Sequence, residues 1–472
     1  MGTFSVGETK IRPGVYHRFE NAGGVSLAGA NNGIVAGLIR ANWGPLNEVV
    51  SFDLTTKVRD IFGSGQTQDL IPAMMQEGAS TGYFVRIGSG GTCGNVTLKD
   101  NSEAGVNVIK LSARYPGSRA FSVTIKDSLT DTAKRQCVVY DGTAIYESRE
   151  FDKGTAEADA LVAAFALSKN FVAEKLAAGS GVLAAVTQSA FTAGTNPTTD
   201  NEAYANGMAA LEPYSFNVFC VDTEDRAVHA LVQAFVDRLY ESGSYPMAVI
   251  SEKNMTGNLV DARMNTAKSY NDSKVIYALN GAKDTDGNVL EGYINAARLG
   301  GIIAAVPANQ SVTHYVVSGY ASLSEPLTNT QIIAALKAGC MVLSLNSAGQ
   351  VWIEQGINTL ITPSGEEDEG WKKIRRVKTR FELMQRIDDT IASLVGRINN
   401  DTDGRAAIVA AGNAVIQRMI SEKKLLSNTR MYEDTNNPPQ GSSAWFIIAV
   451  DDIDSVEIIY LNYRFRFAAT DE

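Results

Sequence analysis

The chain has 472 residues, 44% of them hydrophobic and 20% charged, with a formal net charge of −10. At roughly 150 residues per domain that length suggests about three domains, the composition disfavours disorder, and no apolar run approaches the ~20 residues needed to cross a bilayer. The acidic balance argues against direct nucleic-acid binding, the scattered Cys93, Cys137, Cys220 and Cys340 give neither a zinc knuckle nor a disulfide framework, and residues 1–10 lack a signal-peptide pattern, so folding in a cytoplasm is expected.

At the N-terminus Ile11, Val15, His17 and Phe19 alternate with Arg12, Tyr16, Arg18 and Glu20 around Pro13-Gly14, the period of an extended strand. Residues 33–41 and 82–87 read as buried strands, with helical turns at 58–62 and 70–78 between them. From about Thr92 short alternating strands take over at 107–112, 122–126 and 136–140, followed by an Ala-rich helix at 156–167. This stretch closes near Asn196-Pro197 and reads as a β-rich module inserted into a larger α/β domain. The α/β rhythm then resumes: strand 216–221, helix 225–242, strands 247–250 and 275–279, a hairpin around Asp286-Gly287, a small-residue helix at 293–306, and strands 341–345 and 351–353.

Trp371, Ile374, Val377, Phe381, Met384, Ile387, Ile391, Leu394 and Ile398 recur at intervals of three and four, predicting one long amphipathic helix with Ser364 and Glu367 as its capping box. A second helix is expected at 405–425 and a strand at 446–450. The chain ends on 456–467, where Ile459, Leu461, Tyr463, Phe465 and Phe467 alternate with Tyr460, Asn462, Arg464 and Arg466. An unpaired strand edge is adhesive because it exposes a row of backbone donors and acceptors. One such strand at each end suggests a subunit that lends strands to its neighbours; the competing reading pairs both within one monomer.

Other features carry two readings each. Lys372, Lys373, Arg375, Arg376, Lys378 and Arg380 follow directly on Glu366, Glu367, Asp368 and Glu369, and form either a docking patch for an acidic partner or a solvated helix face paired with its own acidic flank. Gly179-Ser180-Gly181 mimics part of a dinucleotide fingerprint but follows a stretch, 171–177, that reads as helical, so a phosphate cradle is not expected. Asp284-Thr285-Asp286-Gly287 and Asp401-Thr402-Asp403-Gly404 are calcium-loop fragments without the full ligand spacing, better read as turn and cap residues. His17, His229 and His314 have no partners at ligand spacing, and no nucleophile elbow is present.

Several landmarks stand in one order: Arg12-Pro13-Gly14-Val15-Tyr16, Ala113-Arg114-Tyr115-Pro116-Gly117, Ala193-Gly194-Thr195, Gly356-Ile357-Asn358-Thr359-Leu360, the basic helix, the Asn399 to Arg405 run NNDTDGR, and DIDSVEIIYL from Asp452 to Leu461. The series resembles the contractile tail sheath proteins of myophages, especially those of Gram-positive hosts, and of related defective prophages and phage-tail-like bacteriocins. The chain departs from that pattern at Phe121 and at Ala193-Gly194, where a Gly-Asn and a Gly-Gly pair are usual.

The resemblance implies a non-enzymatic, cofactor-free structural subunit of a virion tail or phage-tail-like particle, assembled in the host bacterial cytoplasm as stacked rings. Its implied partners are further copies of itself, an inner tail tube protein, and baseplate and tail terminator proteins, without direct nucleic-acid contact or membrane insertion. The expected fold is α/β and α+β multidomain: an N-terminal arm at 1–20, an α/β main body at 21–91 and 196–345, an inserted β-rich outer domain at 92–195, an α+β tube-proximal domain at 346–455 and a C-terminal arm at 456–472. Strand exchange falls to Val15, Tyr16, His17, Phe19, Ile459, Leu461, Tyr463, Phe465 and Phe467, and tube or subunit docking to the six cations from Lys372 to Arg380. The alternatives are a cytosolic α/β enzyme binding a nucleotide or small acid, drawing on the Gly-rich turns, and a baseplate or tube protein, which would lack the two arms.

Overall fold

The computed structural model describes residues 33–365 and 367–466, together with two short strands, Gly2–Thr3 and Tyr16–His17, that pair in parallel. The described residues form two compact units, one drawn from 31–381 and 454–472, the other from 1–30 and 382–453.

The larger unit is built on a seven-stranded sheet. Across it run Cys340–Met341, Val275–Ala278, Met247–Ser251, Val218–Val221, Ile34–Ile39, Thr81–Arg86 and Val49–Asp53, all parallel except the last, which is antiparallel to its neighbour. Parallel strands covered on both faces read as continuous apolar runs, and VFCV, MAVIS and VIYA are buried at every position. Helix Arg226–Glu241 turns Val228, Val232, Phe235 and Leu239 into the core, and Asp225 caps it by accepting from the Ala227 N–H at 2.8 Å. Helix Tyr293–Ala305 needs its small residues: a Cβ on Gly300 would lie 2.8 Å from the Cys220 sulfur, and one on Gly301 would lie 2.0 Å from the Met74 carbonyl oxygen.

Residues 95–190 form two further sheets of antiparallel strands. One orders Ala144–Asp152, Lys134–Asp141, Ser122–Asp127 and Val186–Ala190; the other orders Phe171–Lys175, Asn107–Ala113 and Asn95–Lys99. With helix Glu157–Phe165 they enclose a shared core containing Ile109, Leu111, Val123, Ile125, Cys137, Leu161 and Phe171. The chain enters and leaves side by side through the bridges Thr92 to Thr195 and Ser89 to Thr198. Phe121 is itself a core residue here; at the second departure Gly194 is hemmed in by the Thr92 and Gly117 carbonyls, while Ala193, the residue that differs, is exposed.

Trp43, from the loop after Ile34–Ile39, is 1% exposed within that same core, its ring 4.9 Å from Phe121 and 5.3 Å from Tyr115. Below it Arg86 is fully buried and, among the described residues, has no carboxylate partner; it donates to the Ala41, Gly44 and Pro116 carbonyls at 2.8 to 2.9 Å. Burial holds its guanidinium down at about 10, so it remains a cation at neutral pH, solvated by backbone. Arg119 adds a second tie, pairing with Asp141 at 2.8 Å and lying 4.5 Å over the Tyr146 ring, whose hydroxyl donates to the Asp60 carbonyl.

Several expectations are corrected. Residues 171–177 are not helical: Phe171–Lys175 is a strand paired residue for residue with Ala113 back to Ile109, its Ala, Glu and Lys propensity overridden by the ladder. The long helix is Ile374–Ala392, shorter at both ends. Trp371 sits in a preceding 3-10 turn, Glu369–Lys372, capped by Asp368, while Ser364 and Glu367 close a separate turn. Leu394 and Ile398 lie beyond the helix, where Gly396 takes a φ of +73°. Helices Asn201–Leu211, Val260–Tyr270 and Asn329–Lys337 were not anticipated.

In the smaller unit, Leu383 and Ile387 pack against Val415, Ile416 and Met419 of helix Thr402–Ser421 and Met431 of a hairpin, Arg430–Glu433 with Phe446–Ala449. Asp401 caps the second helix, accepting from the Gly404 N–H at 2.8 Å. A nearly buried ion cluster ties these pieces: Arg386 pairs with Glu382 and Glu422, and Lys424 with the same two carboxylates, at 2.5 to 2.9 Å. Burial pushes the Glu422 carboxyl up, but Arg386 and Lys424 more than offset it and hold it at about 2.

Two outcomes follow. Replacing Arg86 with Met leaves three buried carbonyls unpaired and should lower unfolding stability by about 3 kcal/mol in a denaturant titration. Because the Glu422 carboxyl is depressed in the folded state, its contribution is complete above pH 4.5 and is lost as pH falls toward 2. The 382–453 unit should therefore loosen over that window, by hydrogen exchange, and Glu422→Gln should flatten the acid dependence.

Candidate assembly surfaces

In a doubly wound sheet, ligands bind outside the carboxyl ends of the strands where the strand order reverses. Here that position lies between Ile34–Ile39 and Val218–Val221, and Asp222, the next residue, is 0% exposed there. One carboxylate oxygen accepts from the Arg40 backbone N–H and the Arg40 Nε, both at 2.9 Å, and from Thr67; the other accepts from the Tyr204 hydroxyl at 2.7 Å. Burial works against the Arg40 cation, but the Asp222 carboxylate beside it raises its pKa overall. The chain's own side chains thus occupy the crevice in which a nucleotide enzyme of this topology would hold its ligand. The Gly179 to Gly181 turn is likewise packed shut: Ser180 donates its N–H to Asp100 at 2.7 Å, a Cβ on Gly181 would lie 2.2 Å from the Thr155 carbonyl oxygen, and a strand, Val186–Ala190, follows instead of a helix.

The six cations expected to form one patch are put to different uses. Lys378 is buried and donates to the carbonyls of Ile303 and Val306, closing the C-terminal end of helix Tyr293–Ala305. Thr379 supports it by donating to the Ala308 carbonyl at 2.9 Å. Arg375 is buried as well, so neither it nor Lys378 belongs to a surface patch. Arg380 pairs with Asp368 at 2.9 Å and lies 4.6 Å over the Trp371 ring, and Lys372 pairs with Glu369 at 2.7 Å. Lys373 reaches in another direction, to Asp454 at 2.7 Å and Glu457 at 3.3 Å. Lys372 and Arg376, near the helix start, are partly exposed.

Of the arm residues, Val15, Phe19 and Phe467 lie outside the described residues, and Tyr16 and His17 form the short pair with Gly2–Thr3. Residues 456–466 join no ladder among the described residues, unlike the strand expected from their alternation. Ile459, Leu461, Tyr463 and Phe465 are 71%, 69%, 70% and 92% exposed. One arm residue that sequence reasoning passed over is held instead: Glu457, only 7% exposed at its side chain. Its lone acidic place in an otherwise apolar run, VEIIYL, was the available signal. No helix among the described residues is long and apolar enough to cross a membrane.

Comparison with known proteins places these features. Residues 198–359, from the helix Asn201–Leu211 through the strand Val351–Ile353, match the phage tail sheath protein central domain. The Bacillus subtilis strain 168 proteins YqbK and the phage-like element PBSX protein XkdK are 23% and 24% identical, over 84% and 80% of this chain and 82% and 79% of their own lengths. A tail sheath protein of Clostridium phage phiCD119 is 22% identical over 47% of this chain and 58% of its own.

Among solved structures, a sheath tail protein from Desulfitobacterium hafniense superposes with a TM-score of 0.71 at 18% identity, covering 93% of this chain and all of that one. One from Listeria innocua gives 0.69 at 18%, over 90% and 95%. The anti-feeding prophage helical sheath in its contracted state shares the fold at a TM-score of 0.56 and 11% identity, over 97% and 99%. Residues 198–359 thus carry the phage tail sheath protein central domain, and the fold of sheath proteins extends over more than nine-tenths of the chain.

Proposed function

We propose that the chain polymerises as stacked rings around an inner tail tube, by strand exchange between subunits through its terminal arms, and that the assembly contracts to drive the tube through a cell envelope. The observation that carries this reading is the exposed, alternating segment 458–466, which finds no ladder in its own described chain. A fitting acceptor is the hairpin of the smaller unit: a two-stranded sheet is marginal by itself and gains from added strands, and its surroundings leave Tyr432 and Trp445 about 40% exposed. Each ladder hydrogen bond contributes about 0.5–1.5 kcal/mol net, so cohesion comes from repetition along the lattice.

In this reading residues 92–195 face outward, 346–455 lie nearest the tube, and baseplate and tail terminator proteins cap the ends. The sheath neighbours support the comparison, one being a contracted helical sheath and another an anti-feeding prophage baseplate. Assembly takes place in the host cytoplasm. No nucleotide drives the stroke; energy resides in the extended lattice, which is held kinetically until firing produces better-packed contacts. Lys372 and Arg376 are the cations we assign to the tube-facing surface, where weak, screened contacts permit release.

Removing residues 456–472 should leave a folded monomer that forms no tubes in negative-stain micrographs; normal polymerisation of that truncation would refute strand exchange. Replacing Lys372 and Arg376 together with Ser should lower the yield of extended sheath on tube several-fold while empty contracted sheaths form as before. Equal loss of both kinds of particle counts against tube docking.

A further inference from the structure

The C-terminal arm does not begin where its exposure begins. Val456 is 81% exposed and Ile458 and Ile459 are 70% and 71% exposed, yet the side chain between them, Glu457, is 7% exposed. A carboxylate withdrawn from water requires donors in its place, and three separate segments supply them. Thr313 Oγ1 and Ser311 Oγ lie 3.0 and 3.1 Å from one oxygen; Gln355 Nε2 and Lys373 Nζ lie 3.1 and 3.3 Å from the other. The site is further ordered from behind, since Thr313 Oγ1 accepts from the Gly356 N–H at 3.0 Å. Lys373 also holds Asp454 at 2.7 Å, so one cation clasps two carboxylates that bracket Ser455 and Val456.

We propose that Glu457 is the fixed pivot of the C-terminal arm, a positioning residue that sets the direction in which the arm leaves the body and places its hinge at 458–460. This rests on the strand-exchange reading and deepens it. A tether clamped at its root searches a small volume, so its effective concentration at a neighbour's sheet edge is high; an arm loosened from residue 454 onward is longer and less directed. The clamp also tells which part of the arm can bend while bodies rotate: the residues after the carboxylate, not those before it.

The test uses the full chain. Glu457→Ala, which keeps the arm sequence otherwise intact, should fold with an unchanged circular dichroism spectrum but need about tenfold more protein to form tubes. Glu457→Gln, which keeps the hydrogen-bond geometry and loses the charge, should fall between. A fluorescent label read by anisotropy, below the tube-forming concentration, separates a pivot from general damage. In a Cys93→Ser background, where the remaining cysteines are buried, a label on Ile459→Cys should tumble more slowly than one on Phe465→Cys, and Glu457→Ala should erase that difference. Equal mobility of the two labels with Glu457 present, or Glu457→Ala chains that polymerise like the parent while the 456–472 truncation does not, would overturn the pivot. Tubes from the truncation itself would instead overturn strand exchange, and the label comparison would still decide on the clamp.

Discussion

Backbone that leaves a folded body in extended form has to satisfy its N–H and C=O groups somewhere, and that requirement governs how the rest of this molecule is to be understood. Within the larger unit several buried charged groups are closed off by their own neighbours. Asp222 is surrounded by Arg40, Thr67 and Tyr204, and Arg86 by three carbonyls. Lys378 spends its charge on the end of a helix. Unspent capacity is concentrated in 458–466, where ladder groups go unpaired among the described residues and large apolar side chains stand exposed on both sides. An active site concentrates unspent chemistry in a crevice; this chain concentrates unspent adhesion at an end.

Stiffness and adhesion complement each other in such a design. The β-rich stretch between residues 95 and 190 is joined to the main sheet by more than its two crossing strands. Trp43 is inserted into its core, and Arg86 and Arg119 tie its turns to the 41–44 loop and to Asp60. A flexible tether attached to a stiff body permits large rotation without loss of connection, the arrangement of rigid-body switches in general. Buried cations solvated by carbonyls suit that role, since their geometry is directional and breaking one leaves several groups unpaired at once.

The fold was legible where local pattern and tertiary role coincide. Runs such as VFCV and MAVIS announce parallel strands buried on both faces, the glycines and alanines at 293–305 announce close helix packing, and Asp225 and Asp401 sit where caps belong. It was illegible where a distant partner decided the matter. Phe171–Lys175 has the composition of a helix and becomes a strand because 109–113 offers a ladder. The run from Lys372 to Arg380 showed six charges but not that two would be buried, because the carbonyls receiving Lys378 lie more than 70 residues away. The donors to Glu457 come from 84 to 146 residues upstream, and no spacing rule connects them to it.

The placement of those cations has a cause in helix electrostatics. A helix carries partial positive charge at its N-terminus, so cations crowding the start of Ile374–Ala392 are unfavourable unless carboxylates gather there. Asp368 and Glu369 supply part of that charge from the preceding turn, pairing with Arg380 and Lys372. Asp454 and Glu457 supply a further part from far along the sequence, through Lys373. The basic helix thus creates a demand for negative charge, and the chain meets part of it with the root of its own arm. Neutralising the helix start and fixing the arm are then one electrostatic event. The clasp at Lys373 thus spends part of the local charge on holding residues 454–457 against the body.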